Sequence, residues 1–206
     1  MKKRKGFILA LFIILAFILS FYFDNQIVVY FSYIRNFFLT NFLMGLTFIS
    51  SEAILFIFLT SLFLWQGQKR KWILPLWFTM AVSVAISFFL KIIVNRPRPF
   101  QTGLVSTFPI LAKNSHLSWN LSFPSFHTML VFSAIPLISK QFPRFKYIWI
   151  TFASLIAISR VYFGLHFLSD VLVGGIIGYF LGLIILKMEE DNQFWEKILN
   201  KIKRKK

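Results

Sequence analysis

The chain has 206 residues, 57% of them hydrophobic and 19% aromatic, carries a formal charge of +16 and contains no cysteine. That apolar content exceeds what one soluble core of this length can hide from water, so an ordinary soluble domain is excluded and lipid becomes the solvent for most of the chain. Disulfides, thiolate catalysis and cysteine-ligated metals are excluded too, and the basic residues stand in short blocks between apolar runs rather than on one exposed face, which argues against nucleic acid as a partner.

Crossing a hydrocarbon layer of about 30 Å takes about 20 apolar residues in a helix that satisfies its own backbone hydrogen bonds. Apolar periodicity and flanking charges predict six transmembrane helices, at residues 7–23, 42–65, 72–94, 127–138, 147–158 and 167–186. The fold class is therefore an all-α integral membrane protein, a single membrane domain over 1–206 with a basic tail at 188–206. No A-x-A-like cleavage site follows the first apolar run, so this span is expected to be retained. The fourth and fifth spans are short and recruit flanking residues, Ser125 and Phe126 at the start of one and residues 159–163 at the end of the other.

Segments 1–5, 66–71, 140–146 and the tail from Lys187 hold four, three, three and seven of the 23 Lys and Arg. By the positive-inside rule these segments and both termini face the cytoplasm, with the protein in the plasma membrane. Trp65, Trp72 and Trp149 fall at cytoplasmic boundaries and read as interfacial anchors. The connection 95–124, rich in proline and polar residues, lies outside and is a candidate lid or rim. In the tail, Phe194, Trp195, Ile198, Leu199 and Ile202 share one helical face between lysines, as in a helix lying on an anionic leaflet. Asp24 and His116 fall in predicted loops and read as surface residues. Glu52 sits near the middle of the second span, where an acid is costly and either pairs with Lys91 or a serine or is neutral and buried, with no catalytic role assigned to it. Gly174, Gly178 and Gly182 recur every four residues and permit close helix approach, within the chain or in a homodimer.

Three patterns fall, in order, at the outward ends of spans. Lys91-x6-Arg98-Pro99 closes the third, where Pro97 and Pro99 end the helix near Asn95 and a mobile ammonium and a planar guanidinium suit phosphoryl oxygens. Pro124-Ser125-Phe126-His127 opens the fourth, where a helix N-terminus offers free N–H groups to an anion, Ser125 adds a hydroxyl, and His127 can protonate a leaving oxygen. Ser159-Arg160-x5-His166-x3-Asp170 joins the fifth and sixth. His166 and Asp170 are four apart, so the carboxylate can accept the Nδ1 proton and leave Nε2 as a nucleophile.

Together the three resemble the signature of the type 2 phosphatidic acid phosphatases and the related vanadium haloperoxidases, over residues 87–182. The resemblance implies that Lys91, Arg98 and Arg160, with Ser125 and the Phe126 amide, bind phosphate, that His166 oriented by Asp170 attacks phosphorus, and that His127 protonates the leaving group. It implies a phosphohistidine intermediate, with no metal and no cofactor. The expected partners are the bilayer and a lipid phosphate at an extracytoplasmic site. Polyprenyl diphosphate is the preferred substrate, with phosphatidate and phosphatidylglycerophosphate sharing its reacting group. The chain departs from the family in having Phe126 where glycine is usual, which leaves a degenerate lipid-phosphate binder as the alternative, beside a transporter.

Overall fold

The computed structural model describes residues 2–112 and 121–197, so His116, Lys113 and the tail from Ile198 onward lie outside the described residues. The described chain is helical: α1 (Lys2–Tyr33), α2 (Phe37–Ile49), α3 (Glu52–Trp65), a 3-10 turn (Gly67–Trp72), α4 (Ile73–Val94), α5 (Pro109–Ala112), α6 (Phe126–Ser133), α7 (Ile135–Gln141), α8 (Lys146–Tyr162) and α9 (Leu168–Asn192). By length and composition, residues 67–94 and 168–191 can each cross a membrane, and 17–33 with 37–49 form a pair bent by 116°.

Several predicted boundaries hold for the reasons given. Helix α4 stops at Val94 ahead of Pro97 and Pro99, with Asn95 in the left-handed region at φ 48° and its N–H donating to the Lys91 carbonyl at 2.9 Å. Helix α6 begins at Phe126 and α8 runs on to Tyr162, the recruitment that their short apolar runs required.

Others are corrected. The first helix continues ten residues past the predicted end at Phe23, which brings Asp24 inside it. The predicted second span is two helices, because the chain breaks at Ser50 and Ser51, and Glu52 stands in the first turn of α3 rather than mid-span. The fourth span also breaks, at Ala134, because Pro136 in the first turn of α7 cannot donate a backbone bond to the preceding helix. Of the three tryptophans read as interfacial anchors, only Trp65 is exposed. Trp72 and Trp149 are buried, and Trp149 stacks on Phe58 and donates from Nε1 to the Val131 carbonyl at 3.0 Å. Both positions at the edge of an apolar run carry the same sequence signal as an anchor. In the tail, Trp195 is also buried, against Phe78 of α4.

The glycine stripe of α9 faces α6 of the same chain. A Cβ at Gly174, Gly178 or Gly182 would stand 2.6, 2.2 or 2.1 Å from the carbonyl oxygens of Ser125, Met129 and Ser133. Glycine thus sets the separation of the two helices, so the stripe is used inside the chain, and it brings the N-terminus of α9 against that of α6. There the Ser125 amide donates to the Asp170 carbonyl at 3.0 Å. The other end of the bundle gathers the basic segments: Lys69 donates to the Gln141 carbonyl, and Lys71 pairs with Glu196 at 3.1 Å.

Candidate active site

Four helix ends, the C-termini of α4 and α8 and the N-termini of α6 and α9, deliver the three motifs to one end of the bundle. Helix α8 is turned into α9 by Gly164, whose φ of 68° favours glycine and whose Cβ would meet a Val105 methyl at 2.5 Å. The turn folds the chain back so that the amides of Leu165 and His166 both donate to the Arg160 carbonyl, at 3.0 and 3.2 Å. Arg160 and His166 are each 2% exposed.

His127 and His166 each lie within electrostatic reach of Lys91, Arg98 and Arg160. Lys91 is buried and donates to the Leu121 carbonyl. Arg160 donates from Nη2 to Thr47 Oγ1 at 2.6 Å and from Nε to Ser159 Oγ at 3.2 Å. Burial lowers the pKa of Arg98 to about 10, with Asp170 opposing, so it remains cationic at neutral pH. Ser125 is buried and its hydroxyl is engaged with Thr128 Oγ1 at 3.0 Å rather than turned into open space.

The Phe126 ring answers the question that its departure from glycine raises. It lines an apolar groove of about 390 Å³ with Trp77, Met80, Val84 and Leu130, and Glu52 lies at the same groove. Its backbone N–H, at the first position of α6, has no partner inside the helix by virtue of that position. Glu52 Oε1 lies 3.5 Å from His127 Nε2, so its neighbour is this histidine rather than Lys91 or a serine.

His166 and Asp170 lie close together as expected, but the hydrogen bond of the imidazole goes elsewhere. His166 Nδ1 lies 2.6 Å from the Ser122 carbonyl and 3.8 Å from Asp170 Oδ2. A carbonyl only accepts, so Nδ1 carries the proton and the Nε2 lone pair is free. Spacing on an ideal helix was the basis of the direct pairing, but His166 precedes α9, where chain direction no longer follows the helical period.

Asp170 is instead the third residue of α9 and caps it, accepting the Phe167 amide at 2.8 Å and the Ser122 hydroxyl at 2.5 Å on Oδ2. Its Oδ1 accepts Arg96 Nη1 at 2.8 Å. Arg96 reaches Asp24 Oδ2 with its other nitrogen at 2.7 Å and lies over the Phe167 ring at 3.9 Å. Asp24 is 2% exposed and also accepts the Ser169 amide at 2.9 Å, so the surface assignment made for it is wrong. The available signal was the second apolar run, Ile27 to Phe31, that follows Asp24 within three residues, because an acid between two such runs is rarely left without a partner. Ser122 and Thr47 gave no signal, being ordinary hydroxyls in the sequence. Among the described residues no group of three or more His, Asp or Glu side chains is placed to hold a metal ion.

His166 lies in the connection between α8 and α9. Burial, then the charges of Arg98, Lys91 and Arg160, push its pKa well below the ordinary 6.5, with the bond to Ser122 opposing. A base with a lowered pKa stays unprotonated as pH falls through its ordinary value, so the free Nε2 is retained there and lost only at lower pH. The chain has three histidines, which imidazole ¹⁵N spectra can separate. At pH 6 the His166 ring is expected to be neutral and protonated on Nδ1; a ring that titrates at 6.5 or above would contradict this.

The sequence model of the PAP2 superfamily matches residues 72–194, which include all three motifs. The chain is 29% identical over 109 residues to a lipid A 1-phosphatase of Rhizobium johnstonii, a match that covers 53% of this chain and 44% of that protein, less than half its length. It is 26% identical over 173 residues to the undecaprenyl-diphosphatase BcrC of Bacillus subtilis, covering 78% of this chain and 86% of that one. The crystal structure of a transmembrane PAP2-type phosphatidylglycerolphosphate phosphatase from Bacillus subtilis superposes with a TM-score of 0.68 at 23% identity, over 87% of this chain and 94% of that one, a likeness of fold. With its helical membrane architecture, its three motifs at one end of the bundle and a family match over more than half its length, this chain belongs to the PAP2 superfamily.

Proposed function

We propose that this chain is a membrane lipid phosphatase that works through a phosphohistidine at His166. The observation that carries the reading is a buried His166 anchored through Nδ1, which leaves Nε2 as the lone-pair nitrogen, within electrostatic reach of three cations. Lys91, Arg98, Arg160 and the Phe126 amide hold the phosphoryl oxygens. Nε2 attacks phosphorus, the N–P bond forms as the bond to the lipid oxygen breaks, and His127 gives that oxygen a proton. Water then attacks the phosphohistidine, His127 takes its proton, the N–P bond breaks and inorganic phosphate leaves. The cations compensate the phosphoryl charge that a metal would otherwise meet, so turnover is metal-independent.

The preferred substrate is a polyprenyl diphosphate, supported by the likeness to an undecaprenyl-diphosphatase along most of both chains. The groove lined by Phe126 and Trp77 supports lateral entry of an apolar chain. Phosphate release from undecaprenyl diphosphate, phosphatidate and phosphatidylglycerophosphate by the purified protein, in excess chelator, tests both points. Release with all three at the same kcat/KM would remove the substrate preference, and release that needs added magnesium would remove metal independence.

The site faces the extracytoplasmic side of the plasma membrane, with both termini in the cytoplasm. Lys69 and Lys71, at the end opposite the site, carry the charge that supports this orientation. In this cysteine-free chain, a cysteine at Thr102 is expected to react with an impermeant thiol reagent on intact cells and one at Gln68 only after lysis. The reverse pattern would invert the topology.

A further inference from the structure

The direct pairing of His166 with Asp170 fails on proton count as well as distance. His166 has one Nδ1 proton, and it is given to the Ser122 carbonyl at 2.6 Å. Asp170 Oδ2, 3.8 Å away, already accepts two donors, the Ser122 hydroxyl and the Phe167 amide, and Oδ1 accepts Arg96. Ser122 is fully buried, and each of its polar groups is used. Its amide donates to the Arg96 carbonyl at 2.8 Å, its hydroxyl donates to Asp170, and its carbonyl accepts from His166. Arg96 closes the circuit through its own side chain, which donates to Asp170 at 2.8 Å. Arg96, Ser122 and Asp170 thus form a hydrogen-bonded ring in which each residue touches the other two, and the imidazole hangs from the ring by one bond.

We infer that Ser122 is the positioning residue for the nucleophile, holding the tautomer and direction of His166 through its carbonyl, while Asp170 acts on the histidine through Ser122. The inference rests on the reading of His166 as the nucleophile. Chemically, a peptide carbonyl fixes the tautomer as a carboxylate does, without placing a full negative charge against the ring. The ring gathers one residue from inside the first motif, one just ahead of the second and one from the third, so a single shift of Ser122 would move the nucleophile relative to all the phosphate-binding groups. A misplacement of about 1 Å is enough to cost on the order of 10²-fold in rate.

The test uses the full chain in detergent, the best substrate of the three above, and the variants Ser122→Ala, Ser122→Thr and Asp170→Asn. Ser122→Ala unties the carbonyl-bearing residue from Asp170 and is expected to lower kcat about 10- to 100-fold with KM within about twofold, because phosphate contacts are untouched. Ser122→Thr keeps the hydroxyl and is expected to restore most of kcat. Imidazole ¹⁵N spectra read the ring without turnover: Ser122→Ala should give a mixture of tautomers at His166, whereas Asp170→Asn, whose amide oxygen can still accept the Ser122 hydroxyl, should keep Nδ1 protonated. Ser122→Ala with wild-type kcat and a single tautomer would overturn the inference. So would loss of the Nδ1-protonated form in Asp170→Asn, the result that direct carboxylate pairing requires, and this arm stands even if Ser122→Ala does not fold. If His166→Ala still turns over, the nucleophile assignment fails, while the tautomer measurements still decide what holds the ring.

Discussion

His166→Ala is expected to abolish phosphate release, with a fall in kcat on the order of 10⁵-fold or more and little change in affinity for an uncleaved lipid phosphate. The size follows from the proposed chemistry, since removing its covalent nucleophile leaves only the positioning and charge stabilisation of the remaining site. Of those remaining groups, Lys91 and Arg160 are anchored by bonds that do not involve the imidazole. Arg160 is held by Thr47 and Ser159, and Lys91 by the Leu121 carbonyl. His127→Ala is expected to be milder, on the order of 10²- to 10⁴-fold, as for loss of a general acid. The ordering is the informative part: a His127→Ala variant more damaged than His166→Ala would exchange the two roles.

Arg96→Met is expected to give the largest loss of stability. Two carboxylates share this one guanidinium, Asp24 at 2.7 Å and Asp170 at 2.8 Å, and both are almost fully buried. Methionine fills the volume but removes the guanidinium that bonds both acids, and breaking a buried pair in this way costs about 3–5 kcal/mol, because a carboxylate is left buried without its hydrogen-bonded cation. For a chain of this length that corresponds to a fall in Tm on the order of 10 °C. Arg96→Lys is expected to lie between, since one ammonium cannot repeat the fork that spans both acids. Thermal unfolding in detergent measures both, and an unchanged Tm for Arg96→Met would show that the network is not holding α1 to the N-terminus of α9.

These two variants also mark what the sequence made legible. The residues of the three motifs were readable because lysine, arginine, histidine and aspartate at the ends of apolar runs are costly, and few chemistries require them in that order. The fold brings Lys91, Arg98, His127, Arg160 and His166 together at one end of the bundle. What holds them was not readable. Ser122 and Thr47 have no compositional signal, and their roles come from helix ends that meet only in three dimensions. Asp24 was misread because the first apolar run was ended at Phe23, when α1 in fact continues to Tyr33 and buries the acid against Arg96. The helix breaks at Ser50–Ser51 and at Ala134 were hidden for a related reason, since hydropathy reports the apolar content of a segment and not its continuity. Glycine spacing on α9 was read correctly as a surface for close approach, but only the positions of the Ser125, Met129 and Ser133 carbonyls show which helix approaches.

The central claim is that phosphate passes through a covalent bond to His166, and the most direct measurement is to catch it there. Purified protein mixed with a lipid phosphate, quenched in alkali within the first turnover and digested for mass spectrometry is expected to carry phosphate on the peptide containing His166, stable to alkali and lost in acid as a phosphoramidate. His127→Ala should accumulate more of it, if the same residue activates the water that releases it. Phosphate found on another residue, or product formed in the first turnover with no phosphate on the protein at all, would contradict the account.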